Sequence, residues 1–165
     1  MYRRLVVVVP LAVAVSAAPA LGVPHRTAPE RFTISGTTVN GKSGPIRVLA
    51  AGPIAGRGTA RLVEHGPITR ATLRLAGGKV FVRYVERGRP ATHRDLQACT
   101  GTIRASGTFT ITGGTGRYAG ARGSGTFTEH RTMDGQRDGD GNCLADQPPA
   151  RVAATARADG TARVR

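Results

Sequence analysis

Eight residues, Gly36-Thr-Thr-Val-Asn-Gly41-Lys42-Ser43, fit the glycine-rich pattern that cradles nucleotide phosphates. That chemistry needs a strand before the loop and a helix after it, so that backbone amides and the helix end hold the phosphates. Here Gly44-Pro45 follows and leads into alternating apolar and polar residues, so the match is one of composition alone. Gly114-Thr-Gly116-Arg-Tyr-Ala119 imitates a dinucleotide fingerprint. The helix it would require is opposed by Gly120, Gly123 and Gly125, each costing about 1 kcal/mol relative to alanine. Asp138-Gly-Asp140-Gly-Asn142 spaces oxygen ligands as calcium loops do, with Asp134 and Asp146 nearby. Cys143 and Pro149 stand where an EF-hand places its glycine and its bidentate glutamate, so a solvated loop is the reading preferred. His25, His65, His93 and His130 lack metal spacing, and no serine lies in a Gly-x-Ser-x-Gly elbow. No metal and no cofactor is expected. Glu64 and Arg83 interrupt otherwise apolar strands and are candidates for an interior polar anchor. A surface place competes with that role, because charged groups are seldom fully buried.

The two cysteines, Cys99 and Cys143, are read as a disulfide rather than as a reactive thiol, because the chain begins like an exported one. Met1-Tyr-Arg-Arg, an uncharged stretch from Leu5 to Ala18 and small residues up to Gly22 match the plan of a secretory leader. The apolar run is too short for the ~20 residues that span a bilayer. The expected organisation is a leader over 1–22, a flexible segment over 23–31 and one domain over 32–165, secreted and free of the membrane after processing. Closing the Cys99–Cys143 loop would contribute roughly 4 kcal/mol by restricting the unfolded chain.

The formal charge of +14 rests on 24 Lys and Arg against 10 Asp and Glu. Such a balance serves surface solubility, the reading preferred, and it also attracts polyanions, envelope polymers included. The arginines are scattered without a dense tract or an aromatic stacking platform, which argues against a specific nucleic-acid site.

The elements that would position any site are strands. Phe32–Val39, Pro45–Ala50, Gly58–Glu64, Ala71–Leu75 and Lys79–Val85 alternate with period two between Gly, Pro and Asn turns. Arg87–Gln97 reads as a loop, and so does Met133–Pro149. Ser106–Phe127 reads as a hairpin turned at Gly113–Gly116, and Val152–Val164 as a terminal hairpin turned at Asp159-Gly160. No segment holds a helical apolar period. The pattern defines an antiparallel barrel or sandwich and leaves the choice open.

The run Ile111-Thr-Gly-Gly-Thr-Gly-Arg-Tyr-Ala-Gly-Ala-Arg-Gly123 resembles the hairpin signature of the dirigent and allene oxide cyclase-like β-barrels. The resemblance implies an all-β, antiparallel, eight-stranded closed barrel of calycin-like shape with a central cavity, and relatives that often form homo-oligomers. It also implies that Arg122 lines the pocket, pointing inward if Ala121 and Gly123 face out. The acids that dirigents use, and the carboxylate and cysteine of the cyclases, have no secure counterpart; Asp134 follows the hairpin at a suggestive distance. Noncatalytic binding of a small apolar molecule is therefore the function expected. A cyclase-like or dirigent-like enzyme and a cationic envelope-associated structural protein are the alternatives.

Overall fold

The computed structural model describes residues 27–165, so the expected leader over 1–22 lies outside the described residues. Ten strands run in chain order: β1 Ala28–Val39, β2 Lys42–Ser43, β3 Ile46–Ala51, β4 Gly56–His65, β5 Ile68–Leu75, β6 Gly78–Glu86, β7 Ala91–Asp95, β8 Thr100–Gly114, β9 Arg122–Asp134 and β10 Arg151–Arg163. Eight of them form one antiparallel sheet in the order β1-β3-β4-β5-β6-β8-β9-β10, and β10 pairs back onto β1 from Ala28↔Ala162 to Val39↔Arg151. The sheet is thus a closed barrel, and closure removes the exposed edges that a chain so rich in Thr and Val would otherwise present. Only a single 3-10 turn, Gly116–Tyr118, is helical among the described residues.

Three local expectations are corrected. The first strand begins at Ala28 rather than Phe32, because β10 is long enough to pair with residues 28–31. The loop expected over Arg87–Gln97 contains β7, which pairs with the stretch of β8 from Thr100 to Arg104 that β6 does not reach. The terminal hairpin is one continuous strand. Ladders to β1 and β9 on both edges outweigh the turn tendency of Asp159-Gly160. Asp159 instead points outward and accepts from Arg31 Nε at 2.6 Å and Arg157 Nε at 2.7 Å. The phosphate-loop lookalike is the tight turn between β1 and β2, with Asn40 and Gly41 both at positive φ.

The inward face explains the glycines of β8, β9 and β10. Across β8 and β9, Gly107 faces Phe127, Phe109 faces Gly125, and Ile111 faces Gly123. Each large side chain lies over a glycine where any Cβ would collide; at Gly125 it would stand 2.7 Å from the Phe109 ring and 2.2 Å from the Asp159 carbonyl. Phe32 meets Phe109 edge-on at 5.9 Å and Tyr84 meets Phe127 edge-on at 5.3 Å, so four aromatic rings fill the barrel's middle.

One end is plugged. Ile54 and Tyr118 are fully buried there, and the Tyr118 hydroxyl donates to the Ala55 carbonyl at 2.9 Å. Arg117 donates to the same carbonyl and stacks its guanidinium over the Tyr118 ring. The Cys99–Cys143 disulfide joins β8 to the long loop after β9 at the other end, with Cα atoms 5.3 Å apart.

Candidate ligand-binding cavity

Beyond the aromatic belt, the half of the barrel away from the plug is not filled. A cavity of about 110 Å³ lies there. Its floor is apolar, built from Ile34, Leu62, Tyr84 and Phe127, with Ala154 and Ala156 on the β10 side. Its rim is charged. Glu64 of β4, Glu86 of β6 and Glu129 and Arg131 of β9 border it, together with Thr69 of β5. The same five polar residues line a wider vestibule of about 480 Å³, whose outer lip carries Arg89 and Pro90. A closed cavity of about 150 Å³ holds a benzene ring, so the inner chamber by itself takes a short chain or part of a ring, and a whole ring must extend into the vestibule.

Strand alternation puts these groups together. Leu62 and Glu64, Tyr84 and Glu86, and Phe127, Glu129 and Arg131 are each two residues apart and share the inner face. Arg131 donates to Glu129 through Nε at 2.7 Å and Nη2 at 3.1 Å. That bond, followed by the charges of Glu64 and Glu86, raises the guanidinium's pKa further. Ion pairs among the described residues engage only Glu129 of the three rim glutamates. Tyr84, 7 % exposed, borders the cavity with a buried hydroxyl that has no hydrogen-bond partner, and burial pushes its pKa up.

All four glutamates of the chain face the barrel's interior. The fourth, Glu30, sits at the plugged end, 2 % exposed. Its Oε2 accepts from the Ile54 amide at 2.7 Å while its Oε1 has no partner. Desolvation raises its pKa to about 7, against the lowering effect of the Ile54 and Arg31 amides. The aromatic belt, with Phe32 next to Glu30 on the inner face of β1, lies between Glu30 and the cavity.

Of the residues expected to line a pocket, Glu64 does so. Arg83 stands on the outer face opposite Arg70 and Thr110. Arg122 is also outside, donating to the carbonyls of Thr112 at 2.6 Å and Ala121 at 2.9 Å. The condition for its pointing inward is not met: Ala121 is buried and Gly123 packs against Ile111. Asp134 is exposed at the end of β9. Asp138 spends its carboxylate on its own loop, accepting from the amides of Asp140 and Asn142 and from the Asn142 side chain, which holds its pKa down. No cluster of three or more His, Cys, Asp or Glu among the described residues is placed to hold a metal ion. Glu86, Glu129, Arg131 and Tyr84 were not singled out from the sequence, although each follows an inward apolar residue at even spacing.

The fold and cavity define a small, closed β-barrel with one apolar chamber and a charged mouth. No family model, curated protein or solved structure matches the chain.

Proposed function

We propose that the protein binds a small, largely apolar molecule in the open half of its barrel, without catalysis, and that the molecule carries a cationic or N–H-donating group to meet the glutamate rim. The observation that carries this reading is the unfilled chamber itself, apolar below and bordered by three carboxylates against one guanidinium above. Ligand pockets typically combine such an apolar lining with a few convergent polar groups. The orphan hydroxyl of Tyr84 adds a hydrogen-bonding group beside the chamber. Against catalysis, the carboxyl best suited to proton transfer near neutral pH, Glu30, lies at the plugged end, across the aromatic belt from the chamber. Secretion belongs to the same proposal, supported by the disulfide. So does kinship with the dirigent and allene oxide cyclase-like barrels, supported by the hairpin resemblance and the eight-stranded closure.

Titration calorimetry with three isosteres of one ring tests it. Benzylamine is expected to bind more tightly than benzyl alcohol, and phenylacetate least. Glu64→Gln with Glu86→Gln is expected to weaken the amine about tenfold, an effect of about 1.4 kcal/mol, and to leave the alcohol unchanged. Failure of all three to bind at millimolar concentration would remove the cavity reading.

A further inference from the structure

The outer wall of the same barrel carries a second concavity of opposite charge. A cleft of about 810 Å³ lies over the outer face of β8, β9 and β10, beneath the loop that joins β6 to β7. Arg87 and Arg89 of that loop border it from one side, Arg104 of β8 and Arg157 of β10 from the others. Its base presents the hydroxyls of Ser106, Thr128 and Thr155, with His130 among them. Strand register builds this arrangement: Arg104 pairs with His130 and His130 with Thr155, while Ser106 pairs with Thr128 and Thr128 with Arg157.

The cations here are largely uncompensated. Arg157 shares Asp159 with Arg31, but no ion pair among the described residues involves Arg87, Arg89 or Arg104. The single acid bordering the cleft, Glu129, has both carboxylate oxygens held by Arg131. Like charges gathered around one hollow repel each other, and a bound anion relieves that repulsion.

We infer that this cleft is a binding site for a saccharide or polyol carrying several carboxylate or phosphate groups. Guanidinium groups pair in bidentate fashion with both kinds of anion. The hydroxyls on the floor match a ligand whose backbone is itself rich in hydroxyls. No Phe, Tyr or Trp lines the cleft, so it lacks the large aromatic platforms on which successive nucleobases stack. The floor of the cleft faces the opposite side of the sheet from the interior chamber, and the cleft meets the vestibule only at its border, where Arg89 and Glu129 line both.

Trigalacturonate, polygalacturonate, tripolyphosphate and a twenty-residue oligothymidylate, titrated at 50 mM salt, test the assignment. Trigalacturonate and tripolyphosphate are expected to bind and to perturb the His130 imidazole resonances. Arg87→Gln with Arg104→Gln should weaken both at least tenfold. Arg70→Gln with Arg83→Gln, which removes equal charge from the outer face of β5 and β6, should change binding less than twofold. Polygalacturonate gaining more than its multiplied site number over trigalacturonate would identify a polymer as the source of the anions; equal affinity per site would identify a small ligand. Equal weakening by the two double variants would reduce the effect to net charge and overturn the site. Tighter binding of the oligothymidylate than of polygalacturonate would overturn the saccharide assignment in favour of nucleic acid.

Discussion

The plugged end and the open end of this barrel are made from the same eight strands, and both receive glutamates from the inner face. At the plugged end the inner face is sealed by Ile54 and Tyr118, and Glu30 is left with one oxygen bonded and one orphaned. At the open end Glu64, Glu86 and Glu129 stand around a chamber that reaches a vestibule, and Arg131 anchors one of them. A carboxylate that keeps its solvent costs the fold little and remains free to attract a ligand. One that loses solvent without gaining partners becomes a titrating liability. The difference teaches that the filled half holds the barrel together while the unfilled half leaves a chamber ringed by charge.

The packing contrast is the one most easily broken. Phe109, 1 % exposed and in contact with the rings of Phe32 and Tyr84, is expected to cost about 3–5 kcal/mol on Phe109→Ala. Leu62→Ala, on the floor of a cavity already present, should cost only the transfer of its three carbons, about 2 kcal/mol, since the new space joins the old. Urea denaturation measures both, and equal losses would mean that the open half is packed as tightly as the other.

The second contrast concerns protons. Folded Glu30 keeps its proton up to about pH 7, whereas the unfolded chain releases it near 4.5. Between those values the folded state binds the extra proton, so stability from this group falls as pH rises and the penalty is complete above pH 7. At pH 8 it amounts to about 3 kcal/mol. Glu30→Gln is thus expected to match the wild type below pH 4.5 and to exceed it by about that amount at pH 8. Parallel stability curves across this window would show that Glu30 is solvated.

The smallest effect sharpens the boundary between the halves. Tyr84→Phe removes a buried hydroxyl without a partner and should stabilise the ligand-free protein by about 1 kcal/mol. A loss of stability would place a bound water on that hydroxyl.

Much of this architecture was legible in the residues. Phe109 and Ile111 alternating with threonines, and Phe127 following glycines at even spacing, reported one dry face and one wet face, and the scarcity of helical periods excluded other classes. The cysteine pair could be read from number and context alone. Barrel closure could not, because β1 and β10 are more than a hundred residues apart and their pairing leaves no local trace. Asp159-Gly160 shows the limit from the other side: a strong turn signal was overridden by neighbours on both edges of the strand.

The cavity was legible only in part. Glu64 stood out, whereas Glu86, Glu129 and Arg131 did not, because nothing in their local sequence shows that three strands bring them together. Arg122 depended on which face the small residues take, a choice that Phe109 and Ile111 settle from the opposite strand by covering Gly125 and Gly123. Sequence determined the period, most of the turns and the sign of the surface, because these depend on neighbours along the chain. Tertiary structure decided which face is inside, which end is sealed and where the charges converge. Those outcomes arise when a sheet closes on itself, and closure is set by contacts between residues far apart in the chain.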